Sequence, residues 1–429
     1  MEEKNETAMP KSNFSMLSDN GILYRAPSQL SSVVARTYKV EYAQRSLYTK
    51  TAPIIFDWNT GTSYVDPQTA ILSFDILLSK TNVENASVSW GGGLGACNLI
   101  SEIRIISKNG VELDRCSEAG QLAKILSDWT MSAETRDNLG MCDGVDFLDG
   151  EAVPIALEGT AVTTVKVSIP IKVLSGFFRP TVKGMLLPAG LASGLRIEMS
   201  LMDEKRAFQA ETGVIEGLKY EIENPQMLLQ LSDFNDPTQN LLITESARAG
   251  LEYNFPSYFS TTVSNASGDK IREQLKKAVS QANKVFAVVL NADAVNGYET
   301  LERSGFDSMP SSQIKSFNYR VGSQYYPLER LTRPSDYWAI ASAAFDELRN
   351  MEWRPNQLNY LNFNTGGKCL AAASLDMSDR INLSGSKINN SSVLELRMDL
   401  LNTNKVDVMV FLQFTAEARV SGSRSVLKI

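Results

Sequence analysis

Apolar and polar residues alternate with a period of two through most of this chain. Leu72, Phe74, Ile76 and Leu78 share one parity. Val165, Val167, Ile169 and Ile171 alternate with Lys166, Ser168 and Pro170, and Leu195, Ile197, Met199 and Leu201 with Arg196, Glu198 and Ser200. The second half repeats the pattern in Phe317, Tyr319 and Val321, in Leu394, Leu396, Met398 and Leu400, and in the run Val406, Val408, Val410, Leu412 and Phe414. Successive side chains of a strand point to opposite faces, so each run predicts a strand with one face in a core. Three sets of positions follow helical spacing instead: Ala119, Leu122, Ala123, Leu126 and Trp129; Ile271, Leu275 and Val279; and Trp338, Ala341, Phe345 and Leu348. They predict helices inserted between strands. Turn signals such as Asn109-Gly110, Asp143-Gly144, Asn296-Gly297 and Gly366-Gly367 separate the runs.

The pattern therefore predicts an all-β chain of two sandwich-like units with long loops. A division is expected near Gly217, where Leu195–Leu201 closes one half and Leu218–Leu231 opens the next. The units are then 51–216 and 217–418. Residues 1–50 differ in composition and read as an N-terminal arm, disordered at first and basic later. Residues 419–429 form a basic tail. The halves share no residue-level repeat, so any likeness between them is architectural.

Composition removes several chemistries. The 429 residues contain no histidine. Ser-His-Asp triads, Cys-His dyads and His-ligated metals are excluded at once. Cys97, Cys116, Cys142 and Cys369 contain no Cys-x-x-Cys pair and are expected as free thiols of a reducing compartment. The glycine run at 91–95 lacks the Gly-Lys-Ser/Thr ending of a phosphate loop. At Gly366-Gly367-Lys368, Cys369 replaces the hydroxyl residue and Asn362 the first glycine. Asp203 and Glu204 are adjacent, so on a strand they face apart and make a poor carboxylate pair. No cofactor or metal is expected. The first residues carry no apolar core, which points away from a secretory leader, and the longest apolar run, Val285–Leu290, is far too short to span a bilayer.

Net charge is −7, yet Arg36, Lys39, Arg45 and Lys50 stand against Glu41 alone, and Arg419, Arg424 and Lys428 follow the last acid, Glu417. Basic ends on an acidic body suit contact with a polyanion or an acidic partner; a solvated linker is the plainer reading.

Several stretches, in order along the chain, resemble the double jelly-roll major capsid proteins of tailless icosahedral DNA viruses, most of all those of polinton-like viruses and adintoviruses. They are Ile54–Asp57, Tyr64–Pro67 and Leu72–Ile76; Leu99–Ile105 with Asn109–Arg115 and the helix Leu122–Trp129; Gly176–Phe178, Leu186–Pro188 and Gly194–Glu198 as closing strands; Tyr319–Pro327; and Leu383–Gly385 before Leu394–Leu400. The segment Asn291–Ser312 has no counterpart and is expected as a loop. The resemblance implies two tandem jelly rolls. It further implies a homotrimeric capsomer of pseudo-sixfold outline, an icosahedral shell around double-stranded DNA in a virion assembled inside the host cell, and penton and minor capsid partners. Both chain ends would face inward. That makes Arg36, Lys39, Arg45, Lys50, Arg424 and Lys428 inner-face contacts, weak and sequence-independent toward DNA, with the arm bridging neighbouring capsomers. Two other classes stay open on fold grounds: a glycan-binding jelly-roll lectin or attachment protein, and a carbohydrate-acting enzyme.

Overall fold

The alternating runs become antiparallel strands, and the strands assemble two sandwiches in series. The computed structural model describes residues 33–90, 95–130, 144, 147–148, 151–152, 154–182, 184–212, 217–234, 251–266, 269–291, 309–345, 360–364, 368–375, 386–389, 392–401, 405–421 and 424–428.

In the first sandwich one sheet has the order β1 (Val33–Tyr42), β14 (Lys219–Phe234), β4 (Tyr64–Ser79) and β11 (Thr163–Pro170), with β2 (Leu47–Tyr48) also on β14. The second sheet has β3 (Ile54–Asp57), β12 (Arg196–Leu201), β6 (Ile100–Ile106) and β7 (Glu112–Ser117). A small sheet of β10 (Ile155–Leu157), β5 (Ala86–Trp90) and β13 (Phe208–Thr212) and the pair β8 (Phe147–Leu148) and β9 (Glu151–Ala152) complete this half. Trp58, just past β3, donates its indole N–H to Met227 Sδ of β14 at 3.2 Å, which ties the two faces across the core.

The second sandwich is built alike. One sheet has β15 (Leu251–Ala266), β23 (Val406–Ser421), β17 (Val279–Asn291) and β20 (Ala371–Ser374), with β21 (Ser386–Ile388) on β17 and β24 (Arg424–Lys428) on β23. The other has β16 (Lys270–Leu275), β22 (Leu394–Leu400), β18 (Ile314–Val321) and β19 (Gln324–Leu331). In both halves the first strand lies at the edge of its sheet beside the last long strand, β1 beside β14 and β15 beside β23. In both, the edge strand of the other sheet is followed by a helix: α1 (Ala119–Thr130) after β7 and α2 (Pro334–Ala344) after β19. This is the double jelly roll expected, repeated in architecture without a repeat in residues. Among the described residues no helix is long and apolar enough to cross a membrane.

Long-range pairing moves the expected boundaries. The strand expected to open the second half, β14, pairs with β1 and β4 and closes the first sheet, so the change-over follows Phe234. Residues 33–48 are no free arm; they pair with β14 as β1 and β2. Residues 1–32 lie outside the described residues. The tail is a hairpin, with Lys428 opposite Glu417. Ile271 and Leu275 are not helical: β16 pairs with β22 along its whole length, and Val279 starts the next strand. Gly176–Phe178 forms a 3-10 turn in place of a closing strand. The unmatched loop at 292–308 and Cys142 lie outside the described residues, while Cys97, Cys116 and Cys369 are buried.

Candidate functional site

The two sandwiches meet along one seam, and its centre is polar. Asp114 of β7 is buried. Its Oδ2 accepts from Ser175 Oγ at 2.5 Å and its Oδ1 from Ser257 Oγ of β15 at 2.6 Å. Backbone N–H groups of Phe177 and Arg115 donate to the same carboxylate. Burial pushes the carboxyl above the ordinary aspartate range, and the four donors oppose that push. A first-half acid is thus shared between a first-half loop and a second-half strand.

Around this pin the backbones close up. Gly176 lies so near β15 that a Cβ built on it would stand 1.6 Å from the Pro256 carbonyl oxygen. Thr181 N–H donates to Asn254 O at 2.9 Å, Tyr253 Oη–H to Phe177 O at 2.5 Å, and Ser260 Oγ–H to Ser117 O at 3.1 Å. The Arg179 guanidinium sits 5.7 Å from the Tyr258 ring centroid. Further along, α1 carries Trp129 into an aromatic cluster of the second half. Its ring centroid lies 5.4 Å from that of Trp338, 5.5 Å from Phe345 and 6.0 Å from Phe363 on α3 (Tyr360–Asn364). Beside it Asp128 pairs with Lys368 Nζ at 3.2 Å. Every residue of α1 from Ala119 to Trp129 is buried, the polar Gln121, Lys124, Ser127 and Asp128 included, so the helix is enclosed on its polar face as well as its apolar one. The seam holds the sandwiches as one block.

The basic residues singled out in the sequence are spread by the strands that carry them. Arg36 lies within β1, while Arg45 follows the strand three residues past its last residue, Tyr42, so the two stand toward opposite ends of it. Neither makes an ion pair among the described residues. Lys39 pairs with Glu41 at 2.8 Å and also donates to Asn59 O. Lys50 pairs with Glu204 at 2.6 Å and Asp203 at 3.2 Å, and its hydrogen bond to Glu204 raises its pKa. The adjacent acids that looked idle in the sequence are its partners. Arg424 lies in the hairpin closing on Ser421, at the end of the second sandwich where β15 begins. Arg36, opposite Ser232, holds the equivalent place in the first. Lys428 lies further along β24. So Arg36 and Arg424 occupy matching ends, while Arg45 and Lys50 lie toward the other end of β1. Because the Lys50 side chain is 44% exposed, its pairs are screened. Lys50→Met is expected to change unfolding free energy by less than about 1 kcal/mol in urea titration; a loss of several would mean the cluster holds the sheet edge.

No family model and no curated protein matches the chain. Solved structures do. A chain of the Sputnik virophage, from a 3.5 Å cryo-EM structure, aligns with TM-score 0.63 at 10% identity over 98% of this chain and 93% of that one. The Faustovirus major capsid protein aligns with TM-score 0.63 at 8% identity over 92% of each. The mavirus major capsid protein aligns with TM-score 0.52 at 10% identity over 100% of this chain and 96% of its own. The likeness runs over nearly the whole length on both sides, so both sandwiches and their order are shared. The fold is that of double jelly-roll capsid proteins.

Proposed function

We propose that this chain is a structural capsid subunit that assembles as a homotrimer, and that these trimers tile an icosahedral shell around double-stranded DNA. The observation that carries the reading is the seam. Two sandwiches of one architecture are fixed side by side through Asp114, Gly176 and Trp129, so one chain presents two equivalent building blocks. Three copies then supply six blocks to one ring, which gives the pseudo-sixfold outline. The role calls for repeated contacts and no chemical step. Penton and minor capsid proteins are the expected further partners, and the virion the place of action. Arg36 and Arg424, at matching ends of the two sandwiches, are the basic residues best placed to face the interior together, with weak, salt-sensitive contact to the genome.

A lectin reading needs aromatic rings along an open groove, but Trp58, Trp90 and Trp129 are buried at 1%, 4% and 2% exposure. They fill cores and the seam.

Light scattering of the purified protein is expected to give about 142 kDa, three times the 47.3 kDa chain, with six-cornered particles in negative stain. A monomer over a wide concentration range would overturn the reading.

A further inference from the structure

We propose that the cleft on the seam between the two sandwiches binds a small organic anion, an aryl or alkyl carboxylate whose charge meets Lys277 and whose apolar body lies between β7 and β15.

The cleft has a volume of about 360 Å³, within the range of sites that enclose small molecules. Both halves of the chain line it. Glu112 and Arg115 come from β7 of the first half, and Phe259 and Phe414 from β15 and β23 of the second. Lys277, between β16 and β17, completes the lining. The seam acid Asp114 borders the same space with Ser257. Their hydrogen bond fixes the spacing of β7 and β15, so the cleft is preformed and a ligand need not open it.

Charge selects the ligand. Of the ionisable side chains that border the cleft, Arg115 pairs with Glu102 at 3.0 Å and Glu112 with Arg104 at 3.0 Å. Asp114 holds the hydroxyls of Ser175 and Ser257. Lys277 makes no ion pair among the described residues. Its Nζ lies 6.0 Å from the Phe259 ring centroid and 5.9 Å from that of Phe414. Ring faces attract an ammonium, but they are weak acceptors for its three N–H donors. A carboxylate satisfies those donors and matches the charge. The wall beside Lys277 is carbon: Phe414 is buried in the second core, and Phe259 packs against it. An inorganic phosphate or sulfate gains nothing from such a wall, whereas an apolar body does. Glu112 on the opposite wall repels a second negative charge, so a monoanion fits best. A ligand seated here touches both sandwiches and stabilises their joined state by mass action.

The test is isothermal titration calorimetry of the full-length chain with phenylbutyrate. One-to-one binding is expected, with a Kd of about 1 mM or tighter, as a ligand of this size gives. Neutral phenylbutanol and inorganic sulfate are each expected to bind at least about tenfold more weakly. Lys277→Gln should weaken phenylbutyrate about tenfold and leave phenylbutanol unchanged. Lys277→Glu should reverse the preference, so that phenylbutylamine binds and the acid does not. Glu112→Gln removes the like charge from the first-half wall and should tighten phenylbutyrate about threefold. Lys277 and Glu112 are both partly exposed, so all three variants are expected to keep the wild-type melting midpoint. If the wild type shows no saturable binding, or Lys277→Gln binds phenylbutyrate as well as the wild type does, the proposal fails. If the Lys277 variants respond and Glu112→Gln does not, the ligand rests on the second half alone, and its seat across the seam is overturned. The outcome is independent of trimer formation, which light scattering reads separately.

Discussion

Gly176→Val is expected to pull the two sandwiches apart. Any Cβ at this position would lie 1.6 Å from the oxygen and 2.8 Å from the carbon of the Pro256 carbonyl. Both atoms are backbone, so no rotamer change can relieve the overlap. Either the turn Gly176–Phe178 or β15 must move, and movement of either breaks the Tyr253–Phe177 and Thr181–Asn254 hydrogen bonds. Overpacking in a core that can yield costs about 1–3 kcal/mol; here the obstacle is main chain, so about 3 kcal/mol or more is expected. Calorimetry should show a lowered midpoint, with the single transition splitting as the halves unfold separately. Gly61→Ala is the control, because Gly61 has open space around its Cβ position and only a positive φ of 60° to oppose the change, a cost of about 1 kcal/mol. Equal effects at the two positions would mean that the close approach at Gly176 does not hold the seam.

Asp114→Ala is expected to cost a further large amount by a different route. The substitution leaves the Ser175 and Ser257 hydroxyls and two backbone N–H groups without their acceptor in a buried place. Removing one member of a buried charged hydrogen-bond set costs about 3–5 kcal/mol. The pH dependence carries a definite sign. Burial raises the folded-state pKa of Asp114 above 3.8, so the folded protein holds this proton more tightly than the unfolded chain does. The stabilising share of this linkage is fully present below the unfolded pKa and is lost as pH rises through the folded one. The stability gap between wild type and Asp114→Ala should therefore widen as pH falls toward 4. The serine hydroxyls make this workable, since each can rotate to accept from the protonated acid. Chemical unfolding of both proteins from pH 7 to pH 4 checks it, and a gap that narrows on acidification would place the carboxylate's pKa below its unfolded value.

Local pattern was a sound guide wherever one face of an element is buried along its whole length. The parity of Leu72–Leu78, Leu394–Leu400 and Val406–Phe414 reads directly as strands β4, β22 and β23, and the spacing of Ala119–Trp129 as α1. It misled at Ile271 and Leu275. Four residues apart, they share a face in a helix and in a strand alike, and only pairing with β22 separates the two. The seam was hidden more deeply. Asp114 stands in the sequence between Leu113 and Arg115 as an ordinary strand residue, and nothing local announces a serine 143 positions away as its partner.

What the amino-acid order determined by itself is the class: strands with one buried face, few helices, no histidine chemistry, and two halves without a residue repeat. Those are properties of composition and of near-neighbour periodicity, and side-chain geometry acts on them over a few residues. What only the tertiary structure decided is membership and neighbourhood. Pairing assigned β14 to the first sandwich and turned the basic arm into edge strand β1. It set Arg36 within that strand and left Arg45 beyond its far end, and it brought Lys50 to Asp203 and Glu204. Pairing between distant strands depends on which edges the closed sheets leave free, and that choice is made by the whole chain at once.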